Sequence, residues 1–329
     1  MTSRETTPLW AAFFLVLIAC LPAQALTINL TYDSSVTSLS NAAQFEAATN
    51  YAAQLLEGDL SDDITINIKV VAVSGSSVFG QSAYSLYGPY TYAQMRADLV
   101  AKATTTNDAT AIANLPNPTS DPTGGGEFFV PAAEAKALGI VGASGASDGT
   151  FTFGTGFSWD LSTTNRAVSG EYDFVGVALH EISEIMGRVP GLGANFGDGK
   201  SSYLPYDLFR YSASGTRSLI AGNNNYFSID GGVTNLKTFN YPNGNGSDPQ
   251  DWASGTNDAC NAFSSSGVEN DFTTVDITAM DVIGYTASSS TPATDTPAMP
   301  LWAMLLLATA LAFFSAPYLP PSRPKSILS

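Results

Sequence analysis

His180-Glu181-Ile182-Ser183-Glu184-Ile185-Met186-Gly187-Arg188 contains the one histidine of the 329-residue chain. With the residues before it, this stretch predicts an amphipathic helix over 173–189. At about 100° per residue, Val175, Ala178, Leu179, Ile182, Ile185, Met186 and Val189 share one side. His180 and Glu184 fall on the opposite strip with Gly176 and Gly187, and Glu181 and Arg188 lie at its edge. Residues four apart are neighbours on a helix surface, so His180 and Glu184 can grip one ion with Glu181 beside it. A solvated face carrying an ordinary Glu184–Arg188 pair is the simpler account. Three features weigh against it: two glycines that weaken a helix, the lone histidine on the same strip, and an immediate stop at Pro190-Gly191.

Outward from this helix, the pattern predicts a mixed α+β fold. Leu26 to Tyr32 and Ile64 to Val73 alternate apolar and polar residues, as half-buried strands do. Between them Phe45, Ala48, Ala52, Leu55 and Leu56 repeat at helical spacing over 42–56, after Ser40-Asn41 as a cap. Helices are expected at 92–103, 132–137 and 274–285. Thr150 to Phe157 alternates again just upstream of the histidine helix and predicts a strand, either an ordinary sheet edge or one that takes an extended peptide by backbone hydrogen bonds. From Gly191 to about residue 265 the chain is rich in Gly, Asn, Ser and Asp with little periodicity, so a loop-rich C-terminal part is expected within one extracytoplasmic domain, 26–286.

Both ends point to export. Arg4, the apolar run Leu9 to Cys20 and Ala23-Gln24-Ala25 make residues 1–25 a signal peptide; Leu17-Ile18-Ala19-Cys20 also reads as a lipobox. Cleavage after Ala25 leaves Cys260 without an intramolecular disulfide partner, and it reads as a buried small residue. Residues 287–300 form a Ser/Thr/Pro linker, and 301–329 a transmembrane or sorting tail. Its apolar run, Leu301 to Ala316, spans about 24 Å at 1.5 Å per residue, and Arg323 and Lys325 follow on the cytoplasmic side. Ala298-Met299-Pro300-Leu301-Trp302, the apolar helix and the basic tail resemble the C-terminal sorting signals that include the PEP-CTERM group, although Pro-Glu-Pro itself is absent. That resemblance implies membrane attachment and a sorting protease as partner. A net charge of −16, from 13 basic and 29 acidic residues, lacks the basic footprint of a nucleic-acid binder.

Val177 to Arg188 resembles the active-site helix of the zincin metalloproteases, HExxH on a helix, and the following glycine is placed as in their metzincin branch. Asp207 to Tyr211, Tyr226 to Gly232, Asp251-Trp252 and Phe272 to Tyr285 resemble further segments of bacterial secreted metzincin-like proteases. Glu184 stands where the second histidine belongs, Pro190 where a third ligand would be, and Asn261-Ala262-Phe263-Ser264 lacks the methionine of a Met-turn. The chain therefore looks like a divergent HExxE subfamily. The resemblance implies a metzincin-like fold and a secreted endopeptidase for peptide or protein substrates, using a divalent ion, zinc in the first instance, with Glu181 as general base. Carboxylates serve as zinc ligands, and a catalytic site takes three protein ligands. His180 and Glu184 supply two. With no second histidine the third must be an acid, and Asp207 and Asp251 are the alternatives. Asp281 reads as a supporting residue, and Tyr211, Arg210 and Arg188 as oxyanion donors. The competing reading is a catalytically inactive metzincin-like surface binding module.

Overall fold

The computed structural model describes residues 25–288 apart from 198, 242–246 and 254. The leader before Ala25 and the linker and tail beyond Ser288 lie outside the described residues. Among the described residues no helix is long and apolar enough to cross a membrane.

The chain begins with β1 (Thr27–Tyr32), the single turn α1 (Ser34–Thr37), the long α2 (Ala42–Asp59) and β2 (Thr65–Val73). β3 (Gly80–Tyr84), β4 (Leu86–Tyr90), α3 (Tyr92–Lys102), α4 (Thr106–Ala113), β5 (Glu127–Pro131), α5 (Ala132–Ala137) and β6 (Gly149–Gly154) follow. The main sheet has the order β1-β2-β6-β3, with β3 alone antiparallel. Strict alternation makes it one-sided. Ile66, Ile68, Val70 and Ala72 of β2 are buried while Thr65 and Lys69 face solvent. A second sheet, β4-β5-β9, is completed by β9 (Ser202–Tyr203).

After the short parallel pair β7 (Trp159–Asp160) and β8 (Tyr172–Asp173), α6 (Phe174–Ile185) packs with α2 over the buried face of the main sheet. Its start is fixed by an aromatic knot: Phe174 lies 4.9 Å from Phe153 and 5.0 Å from Phe45, ring centre to ring centre. Beyond α6 come β10 (Arg210–Ala213), β11 (Thr216–Arg217), β12 (Tyr226–Phe227) and β13 (Lys237–Thr238), which form a small sheet, and then the closing helix α7 (Thr274–Val282). The architecture is thus mixed, with helices on several small sheets.

Two expectations are corrected. The strand upstream of the histidine helix is not an edge: Gly149–Gly154 is flanked by β2 and β3, and β3 is the edge. β3 escapes periodicity because its inward positions, Gly80, Ser82 and Tyr84, face the acidic front of α6 rather than an apolar core. The helix also ends at Ile185, four residues short of Val189, where the expected pattern stops. Gly187 takes φ +122°, and the amides of Gly187 and Arg188 return to the carbonyls of Glu184 and Ser183 at 2.9 and 3.0 Å. This is a Schellman close, which favours glycine at the left-handed position.

Candidate metal centre

Asp173 stands at the N-cap position of α6, but its side chain makes no capping bond and is spent outside the helix. Its carboxylate takes two hydrogen bonds from the buried Arg166 guanidinium, at 3.0 and 2.7 Å, and one from the Asn270 amide at 2.8 Å. A Cβ on Gly176 would lie 2.9 Å from Asn270 Cβ, so this glycine admits the 270 segment against the helix, and it also lines the cleft. With both glycines explained by chain packing, they no longer speak for a site. The case rests on the side chains between them.

His180 Nδ1 lies 2.8 Å from the Ala259 carbonyl oxygen. As donor to that carbonyl, Nδ1 carries the proton, which leaves the Nε2 lone pair free to ligate. Nε2 lies 3.2 Å from Glu184 Oε1 and 3.3 Å from Asp251 Oδ1. One donor atom from each of His180, Glu184 and Asp251 therefore converges within 4.8 Å of the others. Glu184 is itself braced: Ser82 Oγ of β3 donates to its Oε2 at 2.7 Å, and Gln250 Nε2 to its Oε1 at 2.8 Å. Glu181, one residue on, points at the start of β3, its Oε1 packed against Gly80.

Asp251 arrives on a loop held by its neighbour. Trp252 is fully buried, stacks on Phe239 at 5.1 Å, and donates its indole N–H to Asp276 at 2.6 Å. Its backbone N–H bonds the Cys260 carbonyl at 2.9 Å, closing the loop so that Asp251 and the Ala259 carbonyl reach His180 together. Cys260 is fully buried.

Charges sharpen the picture. Burial disfavours a charged His180, but Asp251, together with the hydrogen bond and charge of Glu184, raises it to about 10. Burial pushes Glu184 up, yet the His180 hydrogen bond and charge, with Arg188, bring it down to about 2. Burial raises Asp251 to about 6 despite His180 and Arg188. In the metal-free chain a proton on Nε2 thus sits between two carboxylates, the position a divalent cation would take on displacing it. Burial, then the charge of Glu184, lifts Glu181 well above the usual carboxylate range.

The donor set fits a divalent ion: an imidazole nitrogen whose proton a cation can displace, and one oxygen from each of two braced carboxylates. The cleft in front, about 370 Å³, is lined by His180, Glu181, Asp248 and Asp251, and by an apolar wall that includes Phe79, Phe157, Tyr172 and Val177.

Of the two alternatives for the third ligand, the fold brings Asp251 to His180 and not Asp207. Asp207 Oδ2 accepts from the amides of Gly191, Leu192 and Leu204 at 2.8, 3.0 and 3.0 Å, tying the turn after α6 to the next segment. Asp281 bonds Thr105 and Asn107 and joins α7 to α4. Arg210 lies over Phe239 and donates to the Pro249 carbonyl, and Tyr211 stacks against Arg217. Arg188 is buried under the centre, bonded to Asp251. These three stand away from the cleft lining and do not fill the expected oxyanion role. Ser82, Gln250 and the Ala259 carbonyl carry no sequence signal of their own. Comparison with protein families, curated proteins and solved structures returns no match.

Proposed function

We propose that this chain is an exported, membrane-tethered, metal-dependent endopeptidase with a metzincin-like catalytic domain. The observation that carries this reading is the convergence of His180 Nε2, Glu184 Oε1 and Asp251 Oδ1 at the floor of a cleft that also presents Glu181. Export and tethering rest on the leader and tail sequences.

A divalent ion held by these three side chains, zinc first, would supply Lewis acidity toward a carbonyl and lower the pKa of water. The chain's own residues do the rest. Ala259 fixes the imidazole, and Ser82 and Gln250 hold Glu184, so the ligands need little reorganisation. Glu181, lifted by burial, is placed to take a proton and return it, as a general base whose affinity lies nearer neutrality than that of an exposed carboxylate. A peptide finds two complementary surfaces: the free edge of β3 beside the centre, which can pair with an extended backbone, and the apolar wall, which excludes water from the reacting bond.

The test has two arms. Elemental analysis of the purified protein is expected to find one divalent ion per chain. Glu181→Gln is expected to keep that ion and lose hydrolysis of an unstructured protein substrate. A chain that takes up no divalent ion defeats the reading. One that binds the ion but cleaves nothing is the inactive binding module.

A further inference from the structure

We propose that Arg188 is a positioning residue for the metal centre, holding Asp251 at ligating distance and offsetting the second negative charge that Glu184 brings. This rests on the metalloenzyme reading above.

Arg188 is among the largest fully buried side chains of the protein. A buried guanidinium is costly unless paired, and an apolar residue of similar volume would pack there at less cost. Its position follows from the close of α6. The left-handed turn at Gly187 sends the chain back beneath the helix, and the guanidinium lies under the two acidic ligands. Nε donates to Ser183 Oγ at 2.9 Å, and Ser183 in turn bonds the carbonyl of His180 at 2.7 Å. Nη1 donates to Asp251 Oδ1 at 3.1 Å, and Nη2 lies 3.6 Å from Glu184 Oε1. One planar fork therefore references Asp251, which comes from a distant loop, to the helix that carries the other two ligands.

The charge balance gives the same assignment. A set of two imidazoles and one carboxylate, a common catalytic zinc set, carries one negative charge. His180, Glu184 and Asp251 carry two. Adding Arg188 returns the sum to one. The glutamate in place of a second histidine and the buried arginine four residues later are two halves of one arrangement.

The test is Zn2+ affinity of the full-length protein by competition with a chromophoric chelator, scaled to the folded fraction from circular dichroism. Arg188→Met keeps the volume and removes fork and charge; its dissociation constant is expected to rise about 10–100-fold, the usual cost of losing a group that orients a metal ligand. Arg188→Lys, which restores charge without both donors, is expected to fall between Met and wild type. Ser183→Ala, which removes only the Nε partner, is expected to weaken binding by a smaller factor. Folded Arg188→Met with wild-type affinity overturns the proposal. If that variant does not fold, wild-type affinity in both Arg188→Lys and Ser183→Ala overturns it. A wild type that takes up no divalent ion overturns the metal reading as well, so the two failures are distinct.

Discussion

Among the described residues two groups of side chains have the makings of a metal site, and they differ in what stands between their carboxylates. His180, Glu184 and Asp251 form the first; Asp258, Cys260 and Asp276 form the second, with donor atoms just as close together. In the second, every carboxylate oxygen is taken. Asp258 accepts from the Cys260 amide at 2.7 Å, from Thr273 Oγ1 at 2.9 Å and from Lys237. Asp276 accepts from Trp252 at 2.6 Å and from the Thr273 amide and hydroxyl at 2.6 and 2.7 Å. Burial keeps the Cys260 thiol protonated. That group is a clasp between the Asp251 loop and α7. In the first group the facing oxygens also accept, Glu184 Oε1 from Gln250 and Asp251 Oδ1 from Arg188, and His180 Nε2 stands between them. What sets the first group apart is an imidazole nitrogen between two acids, where the second offers a protonated thiol.

Breaking this contrast should give effects of graded size. Glu181→Gln stands at the top: hydrolysis is expected to fall by about 10²–10⁴-fold, the range for loss of a general base, with metal content unchanged by elemental analysis. Next comes the clasp. Asp258→Asn removes the charged partner of the half-buried Lys237 and is expected to cost about 1–3 kcal/mol in urea unfolding, with metal stoichiometry of the folded fraction unchanged. Asp251→Asn, seven residues earlier, should do the reverse and lose the ion. Equal metal loss in both variants would erase the distinction drawn here. Smaller again, Gln250→Ala removes one brace from Glu184 and is expected to weaken Zn2+ binding about 10-fold, read by the same chelator competition.

The smallest effect lies outside both groups and concerns pH. Burial holds Asp207 at about 6 against an ordinary 3.8, in spite of its three amide donors. A carboxyl raised on folding contributes stability that is complete below its unfolded pKa and lost as pH rises through its folded one. Asp207 therefore costs about 1 kcal/mol of stability between pH 5 and pH 7. Asp207→Asn is expected to remove that share, flattening the fall in unfolding free energy over this interval. An unchanged slope would show that Asp207 is not buried as described.

Where apolar residues decide the structure, the sequence was readable. β1, β2, β6, α2 and α5 follow the alternation or helical spacing within a few residues, because one face of each is pressed against a core. β3 was not readable, since its inward Gly80, Ser82 and Tyr84 serve the acidic face of α6. α4 is too short to show a clear apolar period, although its Thr105–Asp108 capping box is written in the chain. The segment from 191 to 273 is held largely by polar hydrogen bonds and turns, which leave no period to find. Within the centre, His180 and Glu184 were legible together because helical geometry alone makes them neighbours.

The amino-acid sequence by itself determined a helix with His180, Glu181 and Glu184 on one side and an apolar back, because both follow from 3.6 residues per turn. It narrowed the third ligand to an acid and left Asp207 and Asp251 equal. Only the tertiary structure separated them, by spending Asp207 on three amides and carrying Asp251 to His180 on a loop anchored by Trp252. It also decided what surrounds the centre: Ser82, 102 residues from Glu184, Gln250, 66 from it, and the carbonyl of Ala259, 79 from His180. Contacts at such separations depend on how loops close, and no local pattern of side chains encodes that.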